Sequence, residues 1–195
     1  MLAFSDLQAG IVADLVRAGV DVHVFNQRDI AGILAMIRTL GALVGAAERA
    51  EGLARDLERR LAEIAATPRP SARPKVYFEE WDDPLISGIG WVSELIEIAG
   101  GQDVFQELRH RQAAKDRIVS AEAVREAAPD VILASWCGKK VVPARIRARD
   151  CWNEIPAVRD DRIVEIKSPI ILQPGPAALT DGLDAIVTAL WGRLK

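Results

Sequence analysis

The chain has 195 residues, half of them hydrophobic and 27% charged, with a formal net charge of −3. That length can bury a substantial core in one large or two small domains, and so small and mixed a charge does not point to nucleic acid. Cys137 and Cys151 lack zinc-ligand or redox-motif spacing and read as free, structural thiols, and no apolar run is long enough to cross a membrane.

The start, MLAFSDLQAG, has no basic segment ahead of an apolar core, so it does not read as a signal peptide. It reads as the tail of a strand, Leu2-Ala3-Phe4, running into a helix, as though the chain began inside a domain. Ser5 or Asp6 caps a helix over Leu7 to Ala18, with apolar residues at helical spacing. Gly19 stops it, and Val20 to Phe25 forms a second strand. This strand-helix-strand unit implies a parallel pair.

Asp29 caps the next helical segment, Ile30 to about Ala66. Unbroken, that helix would be about 55 Å long and would bridge two lobes. The alternative is two helices with a turn near Gly45. Thr67 to Pro74 (TPRPSARP) is the one clear linker. Beyond it, strands are expected at Lys75–Glu80, Asp130–Ser135 and Arg162–Ile166. Helices are expected at Ser87–Ala99, Ala121–Ala127, near Pro143–Arg147, and at Pro176–Leu194. Strands alternating with helices indicate a parallel sheet covered on both faces.

In such a sheet ligands sit outside the carboxyl ends of the strands. That rule selects Phe4, Ser5, Asp6 and Gln8; Glu79, Glu80, Trp81, Asp82 and Asp83; Ser135 to Lys140; and Lys167 to Pro169 with Gln173-Pro174-Gly175. Five of the ten aromatic residues are Trp, and Trp is well suited to stacking on flat ligands. The EEWDD run suits an acid/base pair, a metal site, a docking surface or a merely solvated loop; it fits no metal-loop motif. Trp81, flanked by four acids, is better placed in a cleft wall than in a core. Trp136 either faces a ligand, with Lys139 supplying charge, or covers the sheet edge. Cys137 has no His placed to activate it. Trp91, Trp152 and Trp191 read as packing residues.

From Pro74 onward the order VYFEE, ISGIGWVSELIEIAGGQDVF, RIVSAEAVREAAPDVILAS and IPAVRDDRIVEI, ending in a Pro-rich lead-in to a terminal helix, resembles the C-terminal lobe of class III periplasmic-type solute-binding proteins of ABC importers. Upstream, LAFSDLQAGIVADLVRAGVDVHVFN and the long helix resemble the end of the N-terminal lobe and the connecting helix. The resemblance implies an α/β fold of two parallel-sheet lobes, the N-terminal one incomplete, joined by a long α-helix. Residues 1–28 would be the remnant of the N-terminal lobe, 29–66 the connecting helix, 67–74 a linker and 75–195 the C-terminal lobe.

The implied function is binding of cobalamin, a ferric siderophore or a similar large metal chelate between the lobes, with delivery to an ABC transporter permease. Phe4, Trp81 and Trp136 would be stacking walls, and Glu80, Lys139 and Gln173 polar contacts. No catalytic residue, bound metal or cofactor is assigned, and no nucleic acid. A dimer through the incomplete lobe is a further expectation. The family is periplasmic, whereas the chain as given, without a signal peptide, reads as cytoplasmic.

The family's docking carboxylates have counterparts only in Asp6 and Asp14, because the corresponding C-terminal loop reads Ile170-Ile171-Leu172. Of the cobalamin binders' aromatic cleft positions, Phe4 stays aromatic, while Leu85 and Pro169 do not. Two rival readings remain: a small hydrolase-like enzyme using the acids after Phe78, and a partner-dependent fragment without a ligand.

Overall fold

The computed structural model describes residues 1–5 and 8–192. Strands β1 (Leu2–Phe4) and β2 (His23–Phe25) form a two-stranded parallel sheet, joined by helix α1 (Ala9–Arg17). The parallel pair expected from the sequence is present. Helix α1 buries none of its residues. Asp6, Leu7 and Leu194 lie outside the described residues.

The stretch from Ile30 to Ala65 is two helices, α2 (Ile30–Leu43) and α3 (Ala47–Ala65), not one rod. Asp29 caps α2 as expected, its carboxylate accepting from the Gly32 N–H at 2.7 Å. Gly45 ends α2 in the left-handed region at φ +73°. The Ala46 N–H donates to the Gly41 carbonyl at 2.7 Å, the long-range bond of a Schellman turn. The chain then folds back: a Cβ at Gly41 would overlap the Ala50 methyl. Arg38 clamps the pair by bonding both Glu51 and Glu58. Small residues at the crossing and a left-handed glycine thus override the continuous helical periodicity.

The second sheet is built on β3 (Lys75–Asp82). It pairs antiparallel with β4 (Leu85–Ser87) and parallel with β5 (Gln102–Asp103) and β6 (Val131–Ala134); β6 in turn pairs parallel with β7 (Ile163–Glu165). Strand β4 was not expected. The turn at Asp83-Pro84 returns the chain along β3, so Ser87 ends a strand and α4 begins only at Gly90 (Gly90–Ile98).

Helices α5 (Ala121–Ala127) and α6 (Pro143–Arg147) match their expected bounds. Two one-turn helices, α7 (Pro156–Arg159) and α8 (Ser168–Ile171), were too short to carry a periodic signal. A π-helical stretch, Ala178–Gly182, precedes the terminal helix α9 (Leu183–Trp191).

Both faces of the sheet are covered, as the near-continuous apolar strands required. Val76, Phe78, Val131 and Leu133 pack against α4, α9 and the α2–α3 pair in one cluster, and Tyr77, Ile132 and Ala134 pack against Val124, Ile146, Trp152 and Ile155 in the other. Residues 30–61 therefore share a core with the sheet that follows them. Trp91 and Trp191 are packing residues with satisfied indoles, donating to the carbonyls of Ile171 and Ala99. Segment 67–74 is tied down: Arg69 lies over the Trp191 ring, and Arg73 bonds Glu97 and the Gly101 carbonyl.

The N-terminal unit meets this core at α4. A Cβ at Gly90 would overlap the Arg28 carbonyl oxygen. The Trp91 N–H donates to that same oxygen at 3.0 Å, and the Glu94 carboxylate accepts from the Ile30 N–H at 2.7 Å. Gly90→Ala should cost about 1–3 kcal/mol in urea unfolding by overpacking this contact. Gly52→Ala, in open space on α3, should instead add about 1 kcal/mol; equal effects would refute the close-approach account.

Burial raises Glu94 above the ordinary 4.5, opposed by the Ile30 amide and, more weakly, by Arg109 and His110, while Asp29 adds to the rise. The folded protein then holds this proton more tightly than the unfolded chain. Its contribution to stability is complete below 4.5 and is lost as pH rises through the raised value. Glu94→Gln keeps an acceptor for Ile30 and removes the titration. Urea midpoints taken from about pH 4 to about pH 7 should fall less with rising pH in the variant; parallel profiles would refute the assignment.

Candidate ligand cleft

The carboxyl ends of β1, β2, β6 and β7 carry two hollows. The first, about 450 Å³, is lined by Phe4, Gln8, Phe25, Gln27, Met36 and the 173–175 loop. Phe4 and Gln173 are thus brought together, as expected of a shared site. The guanidinium of Arg28 lies 5.7 Å from the centre of the Phe4 ring, and Gln8 accepts from the Phe4 N–H at 2.8 Å. Gln27, only 9% exposed, donates to the Pro174 carbonyl at 3.2 Å and so ties the loop to the N-terminal unit. Gln27 and Arg28 were missed because the strand-end rule was not applied to β2.

The second hollow, about 330 Å³, lies at the ends of β6 and β7 and is lined by Trp136, Lys139, Lys140, Glu165, Lys167 and Pro169, among others. The Lys139 ammonium sits 4.0 Å from the Trp81 ring centre and 5.3 Å from that of Trp136, and it pairs with Asp82. A cation over a Trp face is an attractive arrangement. Trp81 is half-buried, its indole N–H donating to the Asp83 carbonyl at 2.9 Å. Lys167 pairs with Glu165 at 2.9 Å. That hydrogen bond holds the Glu165 carboxyl below its ordinary value against the opposing effect of burial, with the Val141 amide adding to the lowering.

Two expected contacts are corrected. Trp136 is 1% exposed; it belongs to the second core cluster, and its indole N–H donates to Glu79 at 2.9 Å. It is a core side chain, and a ring so enclosed offers no stacking face. Glu80 is also occupied: its two oxygens accept from Arg117 at 2.7 and 3.1 Å. Arg117 is 1% exposed, and a buried guanidinium needs a paired anion.

Three of the four acids after Phe78 are held in ion pairs, and the fourth, Asp83, is exposed at the turn. Alternation along β3 sends Glu79 into the Tyr77 side of the sheet, where it is fully buried and holds Arg149 through two bonds of 2.5 and 2.9 Å. Asp82 holds Lys139. Each of the three paired acids faces a cation and not a second catalytic group.

Leu85 is buried in the core, and Pro169 lines the second hollow. The Ile170-Ile171-Leu172 segment ends α8, with Ile171 buried. Asp14 is exposed and pairs with Arg17; Asp6 lies outside the described residues. Cys137 and Cys151 are free and both exposed, which corrects their reading as structural thiols. Among the described residues no three or more His, Cys, Asp or Glu side chains gather to hold a metal ion, and no helix is long and apolar enough to cross a membrane. A further hollow, about 670 Å³, lies before β7 around Asp161, Arg162, Asp181 and Asp184. It is away from the strand ends, and two of its acids already pair with Arg147 and Arg60.

A family model described as "Periplasmic binding protein" matches residues 2–170. An uncharacterized ABC transporter substrate-binding lipoprotein of Bacillus subtilis is 23% identical over 194 residues, covering 94% of this chain and 58% of its own length. The vitamin B12-binding protein of Vibrio parahaemolyticus is 24% identical over 167 residues, covering 85% and 58%. The chain therefore spans well under two thirds of either relative. A periplasmic heme-binding protein of Pseudomonas aeruginosa superposes with a TM-score of 0.80 at 21% identity, over all of this chain and 72% of that one; at that identity the likeness is one of fold.

Removing the partner of buried Glu79 leaves a charge stranded, so Arg149→Met should cost about 3–5 kcal/mol in urea unfolding. Lys139→Met, at a more exposed pair, should cost under about 1 kcal/mol and change Trp emission by uncovering Trp81. A small Arg149 effect would show that Glu79 is not buried in its charged form.

Proposed function

Because the chain belongs to the periplasmic binding protein family over residues 2–170, we propose that it is the solute-binding component of an ABC-type importer, working outside the cytoplasm. Its ligand is cobalamin, a ferric siderophore or a comparable large metal chelate, held along the strand-end surface from Phe4 and Gln173 to Trp81 and Lys139. The observation that carries this reading is the placement of Phe4 and Gln173 in one hollow and of Lys139, with Trp81 under its ammonium, at a second, both at the carboxyl ends of parallel strands, where ligands of such sheets bind. Both the B12-binding relative and the heme-binding fold neighbour take large metal chelates, by their names, which supports the ligand class. The permease of the importer is the proposed partner.

A second reading rests on exposed apolar side chains in the N-terminal unit: Met1, Leu2, Ile11, Val16, Val20 and Val24. Such a surface favours association, and a dimer through this unit is the simplest form. Light scattering coupled to size exclusion tests it; a clean monomer at high concentration removes it.

The main reading is tested by Trp fluorescence titration with cyanocobalamin, ferrichrome and iron protoporphyrin IX. At least one should change the emission saturably. Trp81→Ala should weaken that binding about five- to tenfold, the worth of one aromatic contact. Unchanged fluorescence with all three would defeat the proposal.

A further inference from the structure

We propose that the hollow at the ends of β6 and β7 is an anion subsite, so that the solute is a metal chelate bearing carboxylates or comparable oxyanions and not a neutral one. This rests on the solute-binding reading above and narrows its ligand class.

The charge of this surface runs against that of the molecule. The chain as a whole carries −3, yet the hollow is lined by the three lysines Lys139, Lys140 and Lys167 against the single acid Glu165. Two of the ammonium groups are already answered. Lys167 holds Glu165 at 2.9 Å, and Lys139 holds Asp82. Lys140 forms no ion pair or hydrogen bond among the described residues. It is exposed, and it stands beside two others that have one acid each. Gly138, in the left-handed region at φ +73°, makes the turn that places Lys139 and Lys140 consecutively at the mouth.

The rest of the lining suits the body of a chelate and not a free small anion. Trp136, Ile166 and Pro169 supply apolar edges, and Trp81 lies just beyond under the Lys139 ammonium. A bulky solute laid across this surface displaces the water around Lys140 and Lys167. An oxyanion on the solute replaces that water with a charge-assisted hydrogen bond. A solute whose rim carries only amides or esters strips the water and returns less, so the hollow selects against it. The ammonium groups thus discriminate by penalty as well as by attraction.

The test compares iron protoporphyrin IX with its dimethyl ester, the same ring with its carboxylates blocked, beside cyanocobalamin and ferric citrate, all by Trp fluorescence in one dilute-detergent buffer. The free acid should bind roughly tenfold more tightly than the ester. The Lys140→Gln, Lys167→Gln double variant, altered only at exposed positions, should lose that advantage, by weaker binding of the acid and equal or tighter binding of the ester. Ester and acid binding equally, cyanocobalamin binding most tightly, or a double variant that keeps the preference for the acid would each overturn the anion subsite while leaving the solute-binding reading intact. If neither the four probes nor ferrichrome binds, the solute-binding reading falls and the subsite with it; binding of ferrichrome alone overturns the subsite only.

Discussion

Gly90 lies directly beneath the Arg28 carbonyl, and much of the molecule hangs on that contact. The first helix buries nothing, and the two strands beside it are three residues each. Such a unit cannot fix its own position by core packing. It is fixed where its chain leaves it: by the Trp91 N–H on the Arg28 carbonyl, by Glu94 on the Ile30 N–H, and by Gln27 on the Pro174 carbonyl. Any side chain larger than hydrogen at position 90 would push this seam apart. The hollow containing Phe4 and Gln173 exists because the seam is closed, so a residue far from any ligand decides whether the first half of the cleft has a shape.

The second half is organised by charge. Strand β3 carries three acids within four residues, and alternation with one bulge distributes them. Glu79 goes inward to Arg149, Glu80 goes to the opposite face and Arg117, and a bulge between Glu79 and Trp81 turns Asp82 toward Lys139. Two of these pairs are buried. Such pairs add little net stability compared with apolar packing, but they are costly to break. They pin the end of β3 in one conformation, which is where Trp81 must be held if it is to meet a solute.

Much of this architecture was legible in the sequence, for identifiable reasons. Lys75–Asp82, Val131–Ala134 and Ile163–Glu165 are apolar runs covered on both faces, and runs of that kind announce a parallel sheet. Asp29, Ser120 and the prolines at helix starts mark their boundaries chemically. What escaped notice depended on contacts between distant segments. The fold-back at Gly45 is set by Gly41 meeting Ala50, although the helical periodicity runs straight through it. The short strand Leu85–Ser87 exists through its pairing with β3. Trp81 near the end of β3 and Trp136 just past β6 sit in similar local contexts, yet Trp136 is enclosed and Trp81 half-exposed. The difference lies in Arg149 and Glu79, 70 positions apart, and no local pattern announces it. Gln27 is the reverse case: a signal was present at the end of β2 and went unused.

The ammonium of Lys139 rests against the indole ring of Trp81, which the proposed site would offer to a flat solute. Association at that ring is therefore an exchange and not a simple addition: an internal occupant must leave before an external one arrives. Asp82 sets how firmly the occupant stays, because it holds the same ammonium from the side. Affinity at this wall is then a difference between two similar interactions, small in net value even when each is strong. Under the proposed solute-binding role, such a wall would contribute little net affinity, and Asp82 would set how much.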